Sequence, residues 1–255
     1  MPNPSFDFVV IGAGMAGASI ASELAKGHKV LLLERETHPG YHATGRSAAL
    51  YSEIYGNSPV RALTRASAAF LFSPQGFSSV PLLTPRDSLF FAREDQLDAL
   101  REFRRAEDIA AATEEISGEE AARRIPRFKQ GYVARALIHR GSADIDVQAL
   151  HQAYLDVAIA VDRYEIAAGT EVRRVRHKWA GLRTFAPDRT LVGFDREVRG
   201  FFWLAGQGGY GIQTAPAMAQ LGAALTLERP VPDALLRSGV TALSFDAARF
   251  YKGTP

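Results

Sequence analysis

The chain has 255 residues, of which 47% are hydrophobic and 23% are charged, and its formal net charge at pH 7 is +2. Those fractions are typical of globular proteins and exclude a disordered chain, while the near balance of charge argues against a nucleic-acid partner. The absence of cysteine excludes disulfides, thiolate zinc sites, iron–sulfur ligation and cysteine nucleophiles.

The first residues carry no basic segment, so we expect no signal peptide. The longest mostly apolar stretch, residues 8–21, is broken by glycines and is shorter than the roughly 18 residues that suggest a membrane span. We therefore expect a soluble, cytoplasmic protein without a transmembrane segment. The six histidines show no metal-ligand spacing, and we interpret them as surface or hydrogen-bonded residues without a metal site.

The chain opens with the pattern strand, glycine turn, helix, strand. A run of β-branched and aromatic residues at 6–11 predicts a strand buried on both faces, and residues 18–26 followed by Gly27 predict a helix. A second apolar run at 28–34 predicts another buried strand, which ends in an acid. Two strands joined by a helix within about 30 residues form a βαβ unit with parallel strands.

Three glycines, Gly12, Gly14 and Gly17, lie in the turn before the helix. The first allows the tight turn, the second lets a phosphate approach the backbone, and the third lets the helix pack on the strand. A helix N-terminus attracts a pyrophosphate, and Glu34, 22 residues after Gly12, has the spacing of an acid that binds ribose hydroxyls. The pattern predicts a dinucleotide site and disfavours NADP, because Glu34 would repel a 2′-phosphate.

The remaining elements follow from apolar periodicity and from cap and turn signals. In chain order we predict a helix at 58–72, a strand at 88–92, a helix at 94–108, a short helix after Ser117, a strand at 131–139, a helix at 146–155, one or two strands within 171–185, a strand at 200–205 and a helix at 212–227.

Two features favour FAD over NAD as the dinucleotide. Residues 35–49 form a loop rich in Gly, Ser, Thr and Arg, which offers many donors to a long diphosphate and ribityl chain. A second strand–glycine–helix unit at 203–214 has no obvious function in binding NAD, whereas its helix N-terminus is able to stabilise the negative side of a reduced flavin. A nicotinamide cofactor stays open at this point.

Four blocks, at residues 10–17 (VIGAGMAG), 40–49 (GYHATGRSAA), 179–185 (WAGLRTF) and 207–214 (QGGYGIQT), resemble the FAD-dependent D-amino-acid oxidase superfamily, and within it the D-arginine (broad D-amino-acid) dehydrogenase type. The resemblance implies oxidation of an amine to an imine, with the α-hydrogen passing as hydride to flavin N5. Water then hydrolyses the imine to a 2-oxo acid and ammonia. The electron acceptor, oxygen or a quinone, stays open.

The resemblance also implies site residues. Arg183 would hold the substrate carboxylate, for which a guanidinium fork is well suited. Tyr55 would belong to a lid over the site, and Gly209 would offer its carbonyl to the substrate amine. The predicted residues that bind or line a non-covalent FAD are Gly12, Gly14, Ala16, Gly17, Glu34, Arg35, Ala43, Thr44, Gly45, Arg46, Ser47, Ala48, Ala49, Leu50, Gly208, Gly209, Tyr210, Gly211, Ile212 and Gln213.

Three positions and one segment depart from the family pattern. Leu50 stands where the nearest relatives place a histidine, Ser52 where they have a threonine, and Ser88 where the arginine-preferring enzyme has an acid. The last difference favours neutral or apolar substrates. After Leu155 the chain continues with residues that match the family well downstream, so we expect an internal deletion of about a hundred residues, which removes a second carboxylate-binding arginine.

We therefore expect an α/β fold with two domains. The FAD-binding, Rossmann-like domain with a mostly parallel sheet comprises residues 1–80, 142–155 and 189–255, and an incomplete substrate domain with an antiparallel sheet comprises 81–141 and 156–188. Three functions stay open: a flavin-dependent D-amino-acid dehydrogenase or oxidase, a non-catalytic FAD-binding remnant of that family, and a nicotinamide-binding protein.

Overall fold

The computed structural model of the chain describes residues 5–74, 76–160, 164–167 and 191–246. The strands are β1 (Phe8–Ile11), β2 (Val30–Leu33), β3 (Ala49–Tyr51), β4 (Leu83–Pro85), β5 (Ser88–Ala92), β6 (Thr113–Ser117), β7 (Arg135–His139), β8 (Ala143–Ile145), β9 (Tyr164–Ala167), β10 (Leu191–Phe194) and β11 (Phe202–Ala205). The helices are α1 (Met15–Ala25), α2 (Ser58–Phe72), α3 (Leu97–Arg104), α4 (Glu107–Ala112), α5 (Gly118–Arg124), α6 (Val147–Ala160), α7 (Ala215–Thr226) and α8 (Asp233–Arg237).

The chain divides into two compact units. The described residues of the first lie within Met1–Ala49, Gly56–Leu83 and Ile145–Pro255, and those of the second are Leu50–Tyr55 and Thr84–Asp144. The sequence assigns the Arg-rich strands of 171–185 to a substrate domain, and those residues lie outside the described part of the chain. Which function each unit carries stays a prediction.

The first unit contains the predicted βαβ arrangement. Strands β1 and β2 are parallel neighbours, with Phe8 opposite Val30 and Ile11 opposite Leu33, and α1 connects them. Strand β9 is parallel to β2 on its other side, so the sheet has the order β1-β2-β9. The α/β fold class is confirmed. The position of β9 differs from the expectation that residues 156–188 belong to the substrate domain, because α6 provides the crossover that a third parallel strand needs.

One face of strand β1 is exposed. Helix α1 packs against β1 and β2 and also contacts α6 and α7. On the other face of β1, Val9 and Ile11 are 56% and 61% exposed. The expectation that β1 is buried on both faces is therefore wrong for one face, although parallel sheets are usually covered on both sides.

One hydrophobic cluster of the first unit lies between α2, α7, α8 and the hairpin of β10 and β11. Strands β10 and β11 are antiparallel, with Val192 opposite Leu204. Helix α7 approaches α1 closely, since a Cβ on Gly222 would lie 3.0 Å from the Cδ1 atom of Ile20. The buried residues of this cluster are Ala62, Leu63, Val192, Ala217, Met218, Leu221, Leu235, Val240 and Phe245.

The second unit is built on an antiparallel sheet in the order β5-β7-β6. Helix α5 begins after Ser117, whose hydroxyl accepts a hydrogen bond from the amide of Glu120, as the capping pattern predicts. A small apolar core of Ile116, Ala121, Val133, Ala136 and Ile138 lies in this unit. A further three-stranded sheet has the order β3-β8-β4.

Several predicted elements have different boundaries in the structure. Helix α1 begins at Met15 rather than at residue 18, α6 extends to Ala160 rather than to 155, and β7 begins at Arg135 rather than at residue 131. Residues 94–108 form a 3₁₀ turn at Glu94–Gln96, then α3, and α4 begins after Ala106, which is extended. The reason is that the apolar periodicity of this segment ends at Phe103. Helix α7 begins at Ala215 rather than at residue 212, because Pro216 lacks an amide hydrogen and fits only the first turn.

Candidate functional site

The glycine turn between β1 and α1 has the geometry that its sequence predicts. Gly12 has a φ of +96°, a conformation that favours glycine. A Cβ on Gly17 would lie 1.8 Å from the carbonyl oxygen of Gly12, so only glycine lets α1 pack this closely on the end of β1. Gly14 is the N-cap residue of α1 and offers no side chain to its own helix.

The start of α1 presents backbone donors. The first amides of a helix have no partner inside it. The amide of Met15 donates to Oγ1 of Thr44 at 2.9 Å, and the amide of Ala18 donates to the carbonyl of Gly14 at 2.9 Å. Within the described residues, no hydrogen bond is made by the amides of Gly14, Ala16 and Gly17. Three donors at the positive end of a helix therefore face any anion bound there.

Glu34 reaches this turn from the end of β2. Its Oε2 atom accepts a hydrogen bond from the amide of Ala13 at 2.9 Å, and its Oε1 atom accepts one from the amide of Glu36 at 3.0 Å. A carboxylate has about four lone-pair positions, so this arrangement leaves acceptor capacity beyond these two bonds. Glu34 lies beside the glycine turn, as its spacing predicts.

The loop at 40–47 folds against the same turn. Gly40 has a φ of +76°, and its carbonyl accepts from the amide of Gly45 at 2.7 Å. Thr44 is buried and places its hydroxyl on the Met15 amide, while a Cβ on Gly14 would lie 3.3 Å from that hydroxyl. The structure thus brings Gly14 and Thr44 together. Ser47 donates to the carbonyl of Ala43 at 2.6 Å.

Charged side chains at the entrance of this loop interact with one another. Arg35 donates through Nε and Nη2 to Glu36, and Nε2 of His42 lies 2.9 Å from the same carboxylate. These two partners, Arg35 before His42, lower the pKa of Glu36. The guanidinium of Arg46 lies 5.3 Å from the centre of the Tyr41 ring. The predicted FAD contacts of Arg35, Ala43, Arg46 and Ala48 stay predictions.

The second glycine loop connects β11 to α7. Gly206 and Gly208 have φ values of +71° and +56°, and a Cβ on Gly211 would lie 2.5 Å from Oε1 of Gln207. Gly209 is exposed, and a Cβ there would meet no atom within 4 Å. The surroundings of Gly209 are therefore open. The predicted FAD contacts of this loop, Gly208, Gly209, Tyr210, Gly211, Ile212 and Gln213, also stay predictions.

The remaining predicted site residues lie in strand β3, in the second unit or outside the described residues. Ala49 and Leu50 form part of strand β3 rather than a loop. Tyr55, in the second unit, is 44% exposed. Its predicted action as part of a lid is untested. Arg183, which the resemblance assigns to the substrate carboxylate, lies outside the described residues.

Ser52 belongs to a buried polar group in the second unit. Its hydroxyl lies 3.3 Å from Nδ1 of His139, and both residues are buried. Burial lowers the pKa of His139, although the charges of Glu53 and Asp87 act in the opposite direction. The Ser142 hydroxyl donates a hydrogen bond to the Oγ atom of Ser88 at 2.8 Å. This group therefore places two of the positions that depart from the family pattern, Ser52 and Ser88, in one unit.

Sequence reasoning missed His151. This residue of α6 is 8% exposed, and its Nε2 atom lies 2.9 Å from the carbonyl oxygen of Ala13 in the glycine turn. The signal that would have found it is helical spacing. His151 precedes the buried Tyr154 and Leu155 by three and four residues, so it shares their face of α6.

The part of the chain that the structure describes contains neither a candidate membrane span nor a candidate metal site. No helix there has both the length and the apolar character that crossing a membrane requires. In the same residues, no three acidic or histidine side chains are grouped as a metal site would need.

The sequence of the chain matches a family of flavoproteins. A family model described as DAO, FAD dependent oxidoreductase, matches residues 7–178 and 164–225. The chain is also 37% identical over 51 residues to an uncharacterized protein of Methanocaldococcus jannaschii, a match that spans 20% of this chain and only 14% of that protein.

Solved structures with a similar fold include two oxidases and a dehydrogenase. Glycine oxidase from Bacillus cereus matches with a TM-score of 0.72 at 15% identity, over 92% of this chain and 98% of that one. L-Proline dehydrogenase from P. horikoshii matches with a TM-score of 0.71 at 16% identity, over 99% of both chains. Iminodiacetate oxidase from Chelativorans sp. BNC1 matches with a TM-score of 0.69 at 15% identity, over 94% of this chain and 98% of that one.

Proposed function

This chain belongs to the DAO family of FAD-dependent oxidoreductases, and from that membership we propose that it oxidises the C–N bond of a small α-amino acid. FAD is its cofactor, and a nicotinamide cofactor is no longer an alternative. Because the chain has no cysteine, the flavin is not attached through sulfur.

The structural observation that supports a flavin enzyme is the set of backbone donors at the start of α1. The amides of Gly14, Ala16 and Gly17 make no hydrogen bond within the described residues, and Gly14 has no side chain to obstruct a phosphate. These residues fit the pyrophosphate of FAD, and Glu34 has acceptor capacity left for ribose hydroxyls. The residues that would hold the cofactor are therefore those of the glycine turn, with Thr44 beside them.

The substrate class rests on chemistry that the similar enzymes share. They are named for glycine, L-proline and iminodiacetate, all of which carry a carboxylate near an amine. For this chain we extend that likeness to α-amino acids, and the four sequence blocks favour the D-configuration. Arg183 would bind the carboxylate, the carbonyl of Gly209 would accept from the amine, and Tyr55 would close over the substrate.

When bound, FAD accepts the two electrons and the α-hydrogen of the substrate. The substrate ammonium must first lose a proton, and in this proposal the proton leaves to solvent rather than to an obligatory base on the protein. The rate of oxidation should then rise from about pH 6 towards about pH 10 as the free amine becomes populated. The imine product leaves the site and reacts with water to give a 2-oxo acid and ammonia.

The test is anaerobic reduction of the purified flavoprotein. Visible bands of bound flavin are recorded, and D-alanine, L-alanine, glycine, L-proline and D-arginine are then added separately. Loss of the bands with D-alanine ahead of L-alanine supports the proposal. Reduction only by the L-enantiomers would contradict the D-configuration but not the amino-acid class. Subsequent reoxidation by air, compared with reoxidation by a soluble quinone, identifies the acceptor.

A non-catalytic FAD-binding remnant is the second candidate. Two observations favour it: the family model matches in two segments that overlap at residues 164–178, and Val9 and Ile11 of β1 are exposed. Both support an internal deletion relative to the family, which would remove part of the substrate site. Under this alternative the protein binds FAD, dithionite bleaches the flavin, and no amino acid does so.

A further inference from the structure

A histidine holds the glycine turn from the side of α6. Nε2 of His151 lies 2.9 Å from the carbonyl oxygen of Ala13, and a carbonyl only accepts, so Nε2 carries the hydrogen and donates. The other edge of the ring faces Gly40, where a Cβ would lie 2.9 Å from Cε1 and 3.1 Å from Nδ1. The ring therefore fills the space between the glycine turn and the loop at 40–47.

This hydrogen bond fixes more than one atom. The peptide between Ala13 and Gly14 is planar and trans, so its C=O and its N–H point in opposite directions. Because His151 holds the carbonyl of Ala13, it also sets the direction of the Gly14 amide. The preceding peptide is held in the same manner, since Glu34 accepts from the amide of Ala13. Two side chains from distant segments thus orient two consecutive peptides.

We propose that His151 is a positioning residue for FAD, because it aims the Gly14 amide at the pyrophosphate and separates the two loops that receive the cofactor. This inference rests on the proposed placement of FAD at the start of α1. His151 does not touch the cofactor itself and acts through the Ala13–Gly14 peptide and through Gly40.

The surroundings of His151 suit a neutral donor. Burial lowers its pKa, while the hydrogen bond to Ala13 and the charge of Glu34 act in the opposite direction. A neutral imidazole with hydrogen on Nε2 supplies the one donor that the Ala13 carbonyl needs. Its unprotonated Nδ1 has no hydrogen to donate and therefore needs no acceptor beside Gly40.

The test compares two variants of equal side-chain length, His151→Gln and His151→Met, which differ in the terminal amide donor. The exposed neighbour Gln152, which donates to Asp156, provides the matched control Gln152→Met on the same helix. Each apoprotein is titrated with FAD by quenching of flavin fluorescence, and its thermal unfolding is recorded without FAD. We expect His151→Gln to bind within about threefold of wild type, His151→Met to bind about tenfold or more weakly, and Gln152→Met to bind like wild type.

The outcomes separate positioning from general packing. Equal FAD affinities of His151→Gln and His151→Met would overturn the inference, even if both variants are less stable as apoproteins. Wild-type affinity in Gly14→Val would instead refute the placement of FAD at this turn. Loss of binding in Gly14→Val, combined with no loss in His151→Met, would leave the placement intact and overturn the inference for His151 alone.

A measurement on wild-type protein keeps the inference testable if His151→Met does not fold. Nitrogen-15 NMR of labelled histidine, assigned with His151→Gln, reports the tautomer of His151. We expect the neutral form with hydrogen on Nε2 and a change in its shift when FAD binds. Hydrogen on Nδ1, or a shift unaffected by FAD, would overturn the inference.

Discussion

Replacing Gly17 with alanine tests how closely α1 must approach the end of β1. A Cβ at this position would lie 1.8 Å from the oxygen and 3.0 Å from the carbon of the Gly12 carbonyl. Both are backbone atoms, so no side-chain rotation relieves the contact. Helix α1 must move outward by more than about 1 Å, which also displaces the donors of the glycine turn.

The expected magnitude follows from two opposing effects. In an unstrained helix, alanine is more favourable than glycine by about 0.5–1 kcal/mol. Overpacking against a rigid neighbour costs about 1–3 kcal/mol, and here the neighbour is backbone. We expect the free energy of unfolding of the Gly17→Ala apoprotein to fall by about 1–2 kcal/mol, a decrease in Tm of about 2–8 °C for a chain of this size.

The chain offers a matched control at Gly27, which follows the same helix. A Cβ on Gly27 would meet no atom within 4 Å, and its φ is not positive. Gly27→Ala should therefore keep or raise stability by about 0.5 kcal/mol, because alanine restricts the unfolded chain. Urea unfolding followed by circular dichroism measures both variants. Equal stability of Gly17→Ala and Gly27→Ala would refute the steric reasoning.

Three further predictions concern single side chains. Tyr154 is buried, and its hydroxyl has no hydrogen-bond partner among the described residues. Tyr154→Phe should therefore raise the free energy of unfolding by about 1 kcal/mol. A lower free energy of unfolding, measured in urea, would contradict this. Burial lowers the pKa of His139 below its usual 6.5, so as the pH falls the unfolded chain binds this proton before the folded chain does. The free energy of unfolding therefore decreases as the pH drops below about 6.5. His139→Gln should flatten that loss between about pH 7 and about pH 5, and an unchanged pH dependence would oppose it. Arg183→Met should weaken substrate binding by about 3–5 kcal/mol and leave FAD bound. Flavin reduction at varied D-amino-acid concentration measures the substrate affinity. An unchanged affinity would show that another residue binds the carboxylate.

Local patterns in the sequence predicted the elements with strong local signals. The apolar run 6–11, the glycine turn and the second apolar run correctly indicated parallel strands joined by α1. Helix α2 and strand β5 match their predicted bounds, Ser58–Phe72 and Ser88–Ala92. In these segments the side-chain periodicity and the end signals agree, so tertiary contacts did not need to decide the structure.

Short strands could not be predicted in the same way. Strands β3, β4 and β8 have three residues each, and that length carries no periodicity. Their structure depends on partners distant in sequence, as the sheet order β3-β8-β4 shows. The same holds for β9, which pairs with β2 across more than a hundred residues.

The candidate site likewise contains residues that a local sequence pattern identifies and contacts that no local pattern identifies. The glycine turn and Glu34 were found because their spacing is a local signal with a physical cause. The bond from Met15 to Thr44 joins residues 29 apart, and the bond from His151 to Ala13 joins residues 138 apart. No local pattern specifies such contacts, so the way in which the two loops are held together is visible only in the folded chain.

FAD binding to the wild-type apoprotein and to Gly14→Val shows whether the start of α1 holds the cofactor. A valine side chain at the N-cap of α1 would occupy the approach of a phosphate to the backbone, and its Cβ would already lie 3.3 Å from the Thr44 hydroxyl. We expect one FAD per wild-type chain and loss of binding in a folded Gly14→Val variant. Full flavin occupancy in that variant would show that FAD binds elsewhere on the chain.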